Sequence, residues 1–285
     1  MSTLPDYVAF AFNATRVIST EEWLHEDIEA FQERWGDARL LTFARVLEQA
    51  QGDDQMAAAF AIGYTRSAWA RDLLRPFLQS DDPGVRWASA LSLGEMKDER
   101  ARPVLVQMLG EFLPPPYTPP GEVGPDWFEV RHMHVAHLLG RWGDPALIPA
   151  LRETLVRVWQ VERDAPAHIN QAGMQLRWDY QDALAYALGQ LGAFDALAGL
   201  EVPTHRSRVW TVNLAMGYLN VQDRYHTTCL GFSGDPMHVE AYQDLFPLLL
   251  RVLQQQVGLS SQEATTYLQG YGHDYFRRFD DQAGA

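Results

Sequence analysis

The 285-residue chain has a single cysteine, Cys229, and a single lysine, Lys97. One cysteine excludes an intramolecular disulfide framework and suits a reducing compartment. No apolar run approaches the roughly 18–20 residues that a membrane helix requires. The first residues lack a basic stretch followed by an apolar signal. Together these absences predict a cytoplasmic protein with no membrane partner. Positive charge is scarce too, since 23 basic residues against 37 acidic ones leave a net charge of -14. A duplex-binding surface is assembled from Lys and Arg that release counterions from phosphate, so this balance argues against nucleic acid as the main partner. No Gly-x-x-x-x-Gly-Lys, Gly-x-Ser-x-Gly or His-Glu-x-x-His occurs, so phosphate-loop, hydrolase-elbow and zinc-protease chemistry have no local support.

What is present is apolar and patterned for helix. Hydrophobic residues make up 47% and aromatics 12% of the chain, enough to build a core. The best-formed stretch runs from Asp82 to Gly110. Asp82-Pro83 offers an N-cap followed by a residue suited to the first helical turn. Val85, Ala90 and Leu93 then recur at helical spacing. A second helix is expected from Asp98, with Val104, Leu105, Met108 and Leu109 apolar. The short connection makes the two helices antiparallel, and helices this short are marginal in water alone. The unit needs neighbours.

Those neighbours are marked by an apolar-Gly pair near the end of one helix per unit: Ile62-Gly63, Leu93-Gly94, Leu139-Gly140, Leu188-Gly189 and Met216-Gly217. Subtracting positions spaces the glycines by 31, 46, 49 and 28 residues. The short intervals fit compact helical hairpins, and the long ones fit hairpins carrying a loop insertion. The proline-rich stretch Leu113 to Pro125 cannot be helical. Glu162 to Gly173 and Tyr218 to Pro236 are the other irregular stretches, the last holding His226 and Cys229. Gly52 is a helix stop. Ser19 with Glu22, and Ser260 with Glu263, have capping-box spacing. Two helices are expected after the last insertion, about 238–256 and 261–280. The predicted organisation is a leader and capping helix over 1–37, a repeat array over 38–220, and an irregular loop with capping helices over 221–285.

The run Asp82-x-x-Val85-Arg86-x-x-Ser89-Ala90-x-Ser92-Leu93-Gly94-x-Met96-x-Asp98, followed by an apolar helix, resembles the HEAT-like repeat first named from phycobilisome lyases. The resemblance implies an all-α fold, an α-solenoid of about five HEAT-like hairpins with capping helices at both ends. It says little about activity, because the family includes scaffolds, enzymes and inhibitors.

Registering the units on their glycines isolates one helical stripe, 7 and 3 residues before each glycine and 1 after it. It reads Met56, Phe60, Tyr64; Trp87, Leu91, Glu95; Met133, His137, Arg141; Asp182, Tyr186, Gln190; Trp210, Leu214, Tyr218. The resemblance implies that this stripe lines the concave face of the solenoid. Tyr and Trp often carry interface energy, so the stripe, with His134, reads as a groove for a peptide or amphipathic helix. It reads equally as packing against the proline-rich loop or the next repeat. His134 and His137 share a helix face while His132 points elsewhere. They read as contact residues, and no metal site is assigned. His226 and Cys229 read as ordinary loop residues, and Pro114-Pro115-Pro116-Tyr117 as loop stiffening.

The functional expectation is a non-enzymatic scaffold or adaptor that binds a protein or peptide, with no catalytic residue and no cofactor. The alternative is a lyase or chaperone-like protein handling a tetrapyrrole or other flat ligand. HEAT-like DNA glycosylases use a positive concave face, and this stripe has one Arg against two acids. HEAT-type di-iron hydroxylases repeat His-Glu pairs, and here the sole pair is His25-Glu26.

Overall fold

In the computed structural model the described residues are 40–111, 128–163, 171–221 and 236–271, and among them there is helix, turn and loop but no strand. The fold is of the all-α, α-solenoid class. The chain divides into two compact units, Met1–Glu111 and Phe112–Ala285. The expected leader over 1–37, His25-Glu26, the proline-rich loop, and His226 with Cys229 lie outside the described residues.

In the first unit, α1 (Leu40–Gln49) packs on α2 (Asp53–Tyr64), and α2 packs on α4 (Pro83–Glu95). Gly52, at φ 59, turns the chain between α1 and α2 as the stop signal predicts. The return from α2 is short: α3 (Ala68–Leu74) followed by a 3-10 helix, Arg75–Gln79. At the start of α4 the Asp82 carboxylate accepts from the Val85 N–H at 3.2 Å, with Pro83 in the first turn. Asp98 repeats the device, accepting from the Arg100 N–H at 3.1 Å ahead of a 3-10 turn and α5 (Arg102–Glu111). Val85, Ala90, Leu93, Val104, Leu105, Met108 and Leu109 are all buried, as their spacing predicts.

The second unit contains α6 (Phe128–Trp142), α7 (Ile148–Arg163), α8 (Gln171–Gln190), α9 (Thr204–Tyr218), α10 (Pro236–Gln255) and α11 (261–271). Ser260 and Glu263 form the predicted capping box: the Ser260 N–H donates to the Glu263 carboxylate at 2.9 Å and the Glu263 N–H to the Ser260 hydroxyl at 3.2 Å. Helices α9, α10 and α11 close on one apolar cluster that includes Val212, Met216, Leu249, Leu253 and Leu268.

The glycine register is visible as geometry. Three residues after each marker glycine stands a residue with positive φ: Arg66 (49°), Lys97 (53°), Gly143 (71°), Gly192 (69°) and Asn220 (53°). In all five the N–H of that residue donates to the glycine carbonyl, at 2.8 to 3.0 Å. Five helices therefore end in the same left-handed turn, which satisfies a carbonyl the helix leaves orphaned.

One expectation needs correction. The 28-residue interval suggests a compact helical hairpin, yet the return between α8 and α9 contains no helix. Residues 191–203 descend in turns, with Gly192 and Gly199 at φ 69° and 75° and Pro203 preceding α9. Two left-handed glycines and a proline in so short a segment leave no room for three helical turns.

Candidate partner-binding site

The glycines are also where the helices touch. A Cβ on Gly140 would stand 2.9 Å from the Ala187 Cα of α8. On Gly189 it would fall on the Leu214 carbonyl of α9, and on Gly217 on the Tyr186 carbonyl of α8. Such backbone approach admits only glycine. Ring contacts show the direction of packing. His132 meets Tyr180 at 5.3 Å and His137 meets Tyr186 at 5.2 Å, so the pairs advance together along α6 and α8. Arg206 to Gln181, then Gly189 to Leu214 and Asn220 to Gln190, advance together along α8 and α9. The three helices form one parallel layer.

Half of the stripe's described side chains are not an open surface. Trp210 is 0% exposed and Leu214 1%, while Tyr186 belongs to the apolar cluster with Val209 and Val212. Trp210 is covered by Trp159 of α7, edge to face at 6.1 Å, and the Arg206 guanidinium lies 5.3 Å from the Trp159 ring centre, a cation-π contact. In the first unit Met56, Phe60, Trp87 and Leu91 are likewise buried. These apolar members of the stripe are interior packing residues. The side chain of Tyr64 lies outside the described residues.

The rest of the stripe does reach solvent. Glu95 in the first unit, and Met133, His134, His137, Arg141, Asp182 and Gln190 in the second, are partly exposed, and Tyr218 is 46% exposed. Tyr218 rests edge-on against Phe194, ring centres 5.1 Å apart. The Gln190 amide donates to the Asn220 side-chain oxygen at 2.8 Å. Phe194 and Asn220 were invisible to the register because they sit in turns, although Asn is a common left-handed residue after a helix. Arg141, Gln190 and Tyr218 each follow a marker glycine, so the glycine contacts bring them side by side on α6, α8 and α9.

Electrostatics keep the aromatic and imidazole groups neutral. Although His137 is partly exposed as a residue, its Nδ1 is shut away from solvent, and that burial, the Arg141 charge and the His134 charge together push it down to about 3. Burial holds the Tyr180 phenol well above its usual value, against an opposing effect of Arg157. At neutral pH a His137 so depressed is a poor proton acceptor and Tyr180 a poor proton donor. The described residues contain no group of three or more His, Cys, Asp or Glu arranged to hold a metal. Among them no helix is long and apolar enough to cross a membrane.

A buried polar pair ties α11 to the layer. Tyr271 donates its hydroxyl to the Asn213 side-chain oxygen at 3.0 Å, joining α11 to α9. Its two partners lie 58 residues apart, beyond the reach of local pattern.

Residues 42–112 match the HEAT repeats family model. No match was found among curated proteins. Among solved structures the chain is similar to the complex of CpcE and CpcF of phycocyanin lyase from Nostoc sp. PCC7120, at 20% identity and a TM-score of 0.37, with 95% of this chain and 96% of that chain covered. A likeness at that level carries no argument about activity.

Proposed function

We propose, for a chain whose residues 42–112 are HEAT repeats, that it is a cytoplasmic, non-enzymatic scaffold that binds a protein segment along the second unit. The observation that carries this reading is the row Arg141, Gln190 and Tyr218. Three helices locked at glycine contacts present, at equivalent positions, a cation, an amide and an exposed tyrosine. Tyrosine supplies rigid area with a polar tip, the amide matches peptide groups, and the arginine orients a carboxylate. The buried stripe residues act by holding this row in register.

The test is capture of partners by immobilised protein, comparing the natural chain with an Arg141→Ala, Tyr218→Ala double variant. Recovery of a specifically captured protein should fall at least about tenfold. Equal recovery by both would remove the assignment.

A flat tetrapyrrole is the second reading, and a specific observation favours it. His137 stays neutral beside His134 and edge-on to Tyr186, and a neutral imidazole is the form that ligates or accepts a hydrogen bond. Titration with haem or a linear bilin separates the readings. An absorbance shift lost in His134→Ala, His137→Ala supports the tetrapyrrole, and an unchanged spectrum leaves the protein segment.

A further inference from the structure

The first unit carries a second, chemically different surface at the end where α2 and α4 finish. These helices run parallel, since Met56 lies against Gly84 and Gly63 against Ser92. Their terminal turns are therefore neighbours, and the left-handed residue in each is a cation, Arg66 and Lys97, with both side chains exposed. The next residue after Arg66, Ser67, caps α3 by accepting from the Ala70 N–H at 3.0 Å, which places Trp69 in the first turn of α3, 42% exposed. Arg71 donates to the Met96 carbonyl at 2.9 Å and fastens α3 to the turn that presents Lys97. Arg100, also exposed, follows in the 3-10 turn.

Of the nearby acids, Glu95 is partly exposed two residues before Lys97 and three others are paired. Asp98 is buried and paired with Arg75 at 2.7 Å, Asp72 pairs with the same arginine at 2.6 Å, and Glu99 pairs with Arg102 at 2.6 Å. Arg66, Lys97 and Arg100 take part in none of these pairs. A chain of net charge -14 thus holds three exposed cations on the turns that flank Trp69, one of two exposed large hydrophobic side chains among the described residues.

We infer that this end of the first unit docks an acidic peptide segment of a protein partner, with Trp69 as the apolar anchor and Arg66, Lys97 and Arg100 as charge contacts. Exposed tryptophan is the side chain most enriched among interface anchors. Opposite charge steers such a segment to a cationic end of an otherwise acidic molecule. The excess of acid elsewhere repels a nucleic acid, whose affinity depends on summed positive charge.

A fluorescein-labelled peptide of alternating glutamate and leucine is the probe. Anisotropy should report binding that weakens with added salt. Arg66→Gly with Lys97→Gly should weaken it about tenfold or more, and so should Trp69→Ala. Glycine suits the left-handed turn, so this variant removes charge without straining the fold, and an unchanged thermal melt checks it. Lys97 is the sole lysine, so amine acylation read by mass spectrometry gives an independent measure: the peptide should protect it. Full acylation of Lys97 at saturating peptide, or equal affinity in the glycine variant, would overturn the inference. Tighter binding of a single-stranded oligothymidine than of the peptide would overturn it as well, as would protection of Lys97 by self-association alone in sedimentation.

Discussion

The two units use the same glycine register and pack it differently. In the first, Gly63 faces a side chain, the Ser92 hydroxymethyl group, whose Oγ bonds the Ala59 carbonyl at 3.4 Å. In the second, Gly189 and Gly217 face backbone, each meeting a carbonyl of the neighbouring helix. A side chain can be exchanged, whereas a backbone carbonyl cannot. The second unit is therefore the more rigidly registered, and it is the one whose post-glycine residues line up as a row. The connecting turn of the first unit is secured instead by charge, through Arg75, Asp98 and Arg71.

The strongest way to break this contrast is Gly217→Ala. The new methyl would fall on the Tyr186 carbonyl, with a cost of about 3 kcal/mol or more because only helix displacement relieves it. Urea unfolding would measure the loss, and no single side-chain change nearby should rescue it. Gly63→Ala should cost less, about 2 kcal/mol, and Ser92→Gly should restore part of that by removing the opposing atoms. A Gly63→Ala defect that Ser92→Gly fails to relieve would erase the distinction between the units. Tyr271→Phe sharpens it from the other side. Loss of the buried bond to Asn213 should cost about 1 kcal/mol, read as a lower melting temperature.

The finest discrimination is by pH. His137 is depressed to about 3 in the folded protein, below its ordinary value near 6.5. The unfolded chain therefore binds more protons between those values, so stability rises with pH across that window and is lost as pH falls through it. The described residues of the first unit contain no histidine. Acid should loosen the second unit first, and His137→Gln should flatten the slope between about pH 6.5 and 3. Amide exchange of α6 and α8 compared with α2 and α4 would follow it, and an unaltered slope in the variant would count against the assignment.

Much of the fold was legible in the sequence. The Asp82-Pro83 cap, the Ser260–Glu263 capping box and the five apolar-Gly pairs depend on residues close in the chain, and each is realised. The site was legible in part. The register placed Arg141, Tyr218 and Trp210 on one stripe, read equally as a groove or as packing, and did not separate the exposed Tyr218 from the buried Trp210. Its burial depends on Trp159, a residue 51 positions earlier by subtraction, whose approach no local spacing encodes. The same applies to Asn213 with Tyr271. Helical periodicity says which residues share a stripe, and only tertiary packing says which stripe is covered.

The turn-built return at residues 191–203 carries a consequence for engineering. Helices α8 and α9 remain locked together although no helix joins them, and Arg152 of α7 reaches over to the Ala196 carbonyl at 2.8 Å. The contact of each glycine with its neighbour's backbone carbonyl, rather than the hairpin, thus holds the module together, and the return path is a replaceable cassette. A designer could splice a different connector there, carrying a reporter or a second binding loop, while leaving the helix register intact.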